Sequence, residues 1–266
     1  MYDYHTHTNF SDDGDVEMKD MVQTAYNKGI FEIAITDHYD PDYPDKAFPF
    51  LLNFEEYHKT LENIRKQFKD KIKVIKGIEI GIQHGTTMKK ISEAVNSYNY
   101  DFVLGSFHCA EGFELYGENF FKGRSVEESY EAFYRYMFDC LDQYKDYDVL
   151  SHFNIIDRYS SYVAKPSLYM DIVESILKKI IYDGKGIEIN TSSFRYGMGE
   201  RTTPAQEILQ LYKDLGGEII TTGSDAHEMS YIGHMLDYAQ HMIKSVGLKY
   251  ITTFENRKPT FIKLPD

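Results

Sequence analysis

Seven short runs rich in β-forming residues recur along this 266-residue chain, and the intervals between them are long enough to hold helices. The runs are "MYDYH" (1–5), "FEIAIT" (31–36), "IKVIKGIEI" (72–80), "FVLGSF" (102–107), "YDVLSH" (147–152), "GIEINT" (186–191) and "EIITTGS" (218–224). Amphipathic stretches at 16–29, 54–68, 125–144 and 204–217 fill four of the intervals. The last of these starts behind threonines and Pro204 and stops at Gly216 and Gly217, which are good start and stop signals for a helix. Strands that alternate with helices, with no Pro/Gly/Ser-rich linker between them, predict an α/β fold with a parallel sheet. Seven such units close a barrel more readily than they make two domains, so a single domain over 1–266 is expected. Residues 249–265 read differently, as a final strand pair around a polar turn.

Potential metal ligands gather where these strands end. His5 and His7 close the first run, Asp37 and His38 follow the second, and Glu79 lies near the end of the third. His108 follows the fourth, His152 ends the fifth, and Asp225 and His227 follow the seventh. In a β/α barrel the C-terminal ends of the strands carry the active site, because the βα loops converge there. The four other histidines, His58, His84, His234 and His241, fall mostly in helical or loop positions.

Residues two apart on a strand share a face, so His5 and His7 can hold one ion, and the next turn swings Asp13 back toward it. Glu79 stands in an otherwise apolar strand, where an unpaired carboxylate is costly. Taken singly, "HTH" and "TDH" are weak signals, and "SDAH" has a plain reading as a helix cap. The ordered set is the argument. Imidazole and carboxylate donors suit Zn, Mn or Fe better than Ca or Mg, and the absence of cysteine from the set points away from a closed structural zinc site.

Composition excludes several other classes. A formal net charge of -13 repels the phosphate backbone over most of the surface, so no extended nucleic-acid partner is expected. No segment approaches the roughly 20 apolar residues of a membrane span. The start "MYDYHTHTNF" lacks the basic and apolar run of a secretory signal, and two cysteines do not make a disulfide framework. A cytoplasmic location is expected on those grounds.

The set "DYHTHT", "TDH", "GIEI", "SFHC", "SHF" and "GSDAH" resembles the PHP (polymerase and histidinol phosphatase) superfamily, and the chain length resembles its stand-alone histidinol-phosphatase branch. The resemblance spans nearly the whole chain and implies a distorted (β/α)7 TIM-like barrel with two or three divalent transition-metal ions (Zn, Fe or Mn). It implies His5, His7, Glu79 and Asp225 for a first ion, Glu79, His108 and His152 for a second, and Asp13, His38 and His227 for a third. Many members have histidine where Asp13 stands, with Asp12 as an alternative. Arg158 and Arg195 match loop arginines that grip the phosphate, a role suited to a planar guanidinium; Lys122 and Arg124 are weaker matches.

The implied activity is hydrolysis of L-histidinol phosphate, a small phosphomonoester, by a hydroxide bridging two metal ions. Asp225, His227 or a metal-bound water is then the source of the proton for the leaving group. A phosphatase of phosphotyrosine or nucleoside monophosphates, and a noncatalytic metal-binding module, are the alternatives. The loop at 39–54 is long, aromatic and acidic, as a rim for a cationic substrate would be.

Overall fold

The structure is a computed structural model that describes residues 1–265. All seven expected strands form: β1 (Tyr2–Asp3), β2 (Glu32–Ile35), β3 (Lys73–Gly81), β4 (Phe102–Ser106), β5 (Val149–Leu150), β6 (Gly186–Asn190) and β7 (Ile220–Gly223). They pair in chain order and every pairing is parallel. Between β1 and β7 the circle nearly closes, where Tyr4 N donates to Thr222 O at 2.9 Å and Thr6 bridges Ala226. The fold is therefore an α/β barrel of seven β/α units, as the alternation predicts.

The four helices read from the sequence are α1 (Met18–Asn27), α2 (Phe54–Phe68), α4 (Val126–Gln143) and α6 (Gln206–Asp214). With α3 (Thr86–Ser97), α5 (Met170–Tyr182) and α7 (Leu236–Ser245), each of the seven barrel strands is followed by a helix of nine residues or more. Their apolar stripes cover the outside of the barrel: Met21, Val22 and Ala25 on α1, Tyr57, Leu61 and Phe68 on α2, and Ile176, Leu177 and Ile180 on α5 are all buried. The capping box of Ser125 and Glu128 sets the start of α4.

Residues 249–265 form the expected hairpin, β8 (Tyr250–Glu255) against β9 (Lys258–Lys263). Phe254 of β8 enters the N-terminal end of the barrel and packs on Tyr4 and Phe102. That end is thereby plugged, and the loops after the strands surround the open end. Among the described residues no helix is long and apolar enough to cross a membrane.

Candidate metal centre

Parallel strands place their C-terminal residues around one mouth, and Glu79 of β3 lies at its centre, fully buried. Its Oε2 is 3.1 Å from His5 Nε2, 3.4 Å from His7 Nε2 and 3.1 Å from His38 Nδ1. Its Oε1 is 3.2 Å from His108 Nε2 and 3.0 Å from His152 Nε2. Histidines from four different strand ends thus face one carboxylate. Asp225 approaches from β7, with Oδ1 3.6 Å from His5 Nε2 and 3.4 Å from His7 Nε2. Asp13 completes the ring, with Oδ2 3.2 Å from His227 Nε2 and 3.6 Å from His38 Nε2.

Asp225 reaches the centre through an unusual backbone conformation. Its φ is +55°, a left-handed state that aspartate tolerates better than most residues. The chain is held there by Asp225 N donating to His5 O at 2.8 Å, and by Arg195, whose terminal nitrogens donate to the carbonyls of Ser224 (2.8 Å) and Asp225 (2.7 Å).

Burial makes the electrostatics severe. It raises the pKa of Glu79, but the nearby His5, His38 and His108 outweigh it and hold the carboxyl well below the usual range. Asp225 behaves likewise, with burial opposed by His5, His7 and His227. Burial lowers the pKa of His5, yet the carboxylates of Glu188, Glu79 and Asp225 bring it well above the ordinary value. For His7, burial and the neighbouring His227 and His38 act together and push it well below. Positive charge beside these carboxylates offsets the cost of burying them.

Divalent ions would do the same more directly, and the donors fit them. Four groups, His7/His38/His227, His5/His7/Asp225, His5/Glu79/His152 and His38/Glu79/His108, each bring three ligand atoms within 4.8 Å of one another. The buried ring nitrogens His7 Nε2, His38 Nδ1 and His227 Nε2 have no hydrogen-bond partner among the described residues, which is costly for a site without a cation.

Above the centre opens a cavity of about 640 Å³. Asp13, His38, His108, His152, Asp225 and His227 line it on the side of the centre, and Tyr43, Phe48, Phe50, Tyr116 and Tyr159 bring aromatic rings to it, with Asp45 and Glu114 between them. Arg158 also lines it, on a one-turn helix (Ile156–Tyr159) that follows His152. Its guanidinium lies 4.1 Å from the Tyr196 ring centroid and 3.8 Å from Asp225 Oδ2.

All nine expected ligands, His5, His7, Asp13, His38, Glu79, His108, His152, Asp225 and His227, therefore come together. Arg158 faces the cavity as expected. Arg195 has its terminal nitrogens on the backbone that carries Asp225, a contact the sequence does not reveal. Asp12 is drawn away, accepting from Phe50 N at 2.6 Å. Arg124 is bound to Phe120 O and Glu111, and Asp37 clamps the first turn by accepting from Thr8 N and Ser11 Oγ.

Two buried acids at the site escape the sequence reading, Asp40 and Glu188. Glu188 had a usable signal, since "GIEI" at 186–189 repeats the "GIEI" at 77–80 that singles out Glu79. Asp40 is one of several acids in an acidic loop and has none.

Barrel and centre together define a class. Residues 3–192 match the family model for the PHP domain, and the chain belongs to that family. It is similar along its length to curated relatives. It is 32% identical to a "probable histidinol-phosphatase" of Clostridium acetobutylicum, covering 97% of this chain and 98% of that protein. It is 31% identical to the histidinol-phosphatase of Lactococcus lactis subsp. lactis, covering 96% and 95%. The crystal structure of the L. lactis histidinol phosphate phosphatase, complexed with zinc, L-histidinol and phosphate, matches with a TM-score of 0.89 at 29% identity, over 97% of this chain and 98% of that one.

Proposed function

We propose that the protein is a metal-dependent phosphomonoesterase that hydrolyses L-histidinol phosphate to L-histidinol and inorganic phosphate. The observation that carries this is the sharing of Glu79 among His5, His7, His38, His108 and His152 on the side of a cavity that also holds a guanidinium and an aromatic, acidic wall. We assign His5, His7, Glu79 and Asp225 to a first ion, Glu79, His108 and His152 to a second, and Asp13, His38 and His227 to a third. Zinc, iron and manganese all suit these donors. When bound, such ions activate water at neutral pH and offset charge on the phosphoryl oxygens.

The remaining work falls to the chain. Arg158, stacked on Tyr196, presents a permanently charged fork to the phosphate, so its orientation costs little entropy on binding. Arg195 fixes the left-handed turn at Asp225 through the carbonyls of Ser224 and Asp225. Asp225 and His227 border the cavity; His227 is assigned to hold the proton that the leaving alkoxide takes up, and the ionised Asp225 to orient it. His227 Nδ1 is tied to Asp225 O at 3.0 Å, which sets its ring and leaves Nε2 toward Asp13. Aromatic faces and the acids Asp45 and Glu114 in the cavity lining suit an ammonium and an imidazole.

The test is phosphate release from L-histidinol phosphate, phosphotyrosine and a nucleoside monophosphate, before and after chelation and metal replacement. A kcat/KM for histidinol phosphate at least about a hundredfold above the others, some 2.7 kcal/mol of discrimination, is expected, with loss on chelation and recovery on adding zinc or manganese. Equal rates on all three, or activity that survives chelation, would overturn the assignment.

A further inference from the structure

Two carboxylates that belong to none of the ion sets above sit behind the centre in matching arrangements. Glu188 of β6 is fully buried, and its Oε1 lies 2.9 Å from His5 Nδ1. Asp40, 1% exposed, has Oδ1 3.0 Å from His108 Nδ1. The other nitrogen of each ring faces Glu79, from His5 at 3.1 Å and from His108 at 3.2 Å. A carboxylate only accepts hydrogen bonds, so in each pair Nδ1 carries the proton. Each Nε2 faces an oxygen of Glu79, which accepts in the same way, so an ion between them would take the place of the Nε2 proton and use that lone pair as a ligand.

Each pair depends on a glycine. The three heavy atoms nearest to a Cβ at Gly81 would all belong to the Asp40 carboxyl group, in overlap with it. A Cβ at Gly223 would overlap Glu188 Oε1 and His5 Cβ. Gly81 follows Glu79 by two residues on β3, and Gly223 ends β7, so the barrel has a space without a side chain beside each of these acids. Two other histidines of the centre are held differently. His7 Nδ1 faces only the Ser11 hydroxyl at 3.3 Å, and His227 Nδ1 faces a backbone carbonyl.

We infer that Glu188 and Asp40 are positioning residues that fix the Nδ1–H tautomer of His5 and His108 and raise the basicity of their Nε2 atoms toward the ions that Glu79 shares. The inference rests on the metal-centre part of the function proposed above and is independent of the substrate. The physical reason is general: a ligating imidazole whose second nitrogen donates to a carboxylate is both oriented and made a stronger donor. Glu188 has a further tie, because its Oε2 accepts from His152 N and from Asn190 Nδ2, each at 3.2 Å. It thereby links the strand end that carries His152 to the one beside His5.

Glu188→Gln and Gly81→Ala test the two pairs separately. Glutamine keeps the size of Glu188 but turns one acceptor into a donor against an N–H or a ring nitrogen, and alanine at 81 displaces Asp40 without touching a ligand. The readout is zinc affinity against a competing chelator, with no substrate present, and each variant should fall about 10- to 100-fold while its far-UV circular dichroism stays that of the parent. Wild-type affinity in Glu188→Gln would overturn the assignment at His5, and in Gly81→Ala the one at His108. Should either variant fail to fold, nitrogen-15 spectra of the zinc-loaded parent decide: both rings are expected as Nδ1–H tautomers, and an Nε2–H tautomer at either would overturn that pair. Because no turnover is read, failure here and failure of the histidinol phosphate reading are distinguishable.

Discussion

The two halves of the barrel interior are built from the same strands and are opposite in character. Below, Tyr4, Ala34, Ile75, Phe102, Leu104 and Val149 make a dry plug closed by Phe254. Above, Glu79, His5, His152, Glu188 and Asp225 make a buried ionic cluster. On β3, Ile75 and Glu79 are four residues apart and share one face; on β4, Phe102, Leu104 and Ser106 do the same, and Ser106 Oγ donates to Glu79 Oε1 at 2.5 Å. A one-residue slip of either strand would swap what lies inside for what lies outside. The plug therefore fixes the register of the strands that carry the ligands, and it takes no part in the chemistry.

That division is broken most severely at Glu79. Glu79→Gln keeps the volume and removes the charge that five histidines face, so kcat/KM for histidinol phosphate should fall at least about a thousandfold, some 4 kcal/mol of transition-state stabilisation. Metal content after dialysis should fall with it, as elemental analysis would record. A variant that kept its metals and more than a tenth of its activity would show that the upper half does not turn on this residue. The opposite half should respond in the opposite currency. Phe254 is 3% exposed and its ring lies 5.0 Å from that of Phe102, so Phe254→Ala should cost about 3–5 kcal/mol of stability in urea unfolding. Its kcat/KM per folded molecule should stay within about threefold, since the plug and the cavity share no side chain. A large loss of activity at unchanged stability would mean that the two halves are not separate.

This division also explains what the sequence discloses. Strand alternation is visible because β/α units repeat a local pattern, and the nine ligands are visible because a histidine or acid at a strand end has few structural uses. Glu188 follows the same logic as Glu79, within the same tetrapeptide, and is readable in principle. Asp40 is not, because its role depends on the space left at Gly81 on a different strand. Nor is the grip of Arg195 on the carbonyls of Ser224 and Asp225, which exists only once β6 and β7 are side by side. Ligand identity is a local property of the chain, whereas the support behind a ligand is a property of packing.

The smallest expected effect separates the centre from a histidine outside it. His58 on α2 stacks on Tyr98, with ring centroids 4.1 Å apart and planes 5° from parallel, and its buried Nε2 has no hydrogen-bond partner among the described residues. Burial, with Lys76 nearby, pushes its pKa down to about 4. In the unfolded chain the group titrates near 6.5, so between about 6.5 and 4 the unfolded state binds more protons and stability rises with pH. The contribution is fully present above 6.5 and is lost as pH falls toward 4. Urea midpoints of the zinc-loaded protein at pH 7 and pH 4.5 should therefore differ, and His58→Gln should narrow that difference slightly. What remains in the variant then belongs to the centre together with the other shifted groups, such as His234 and Asp148. An identical pH dependence in the variant and the parent would remove His58 from the acid response.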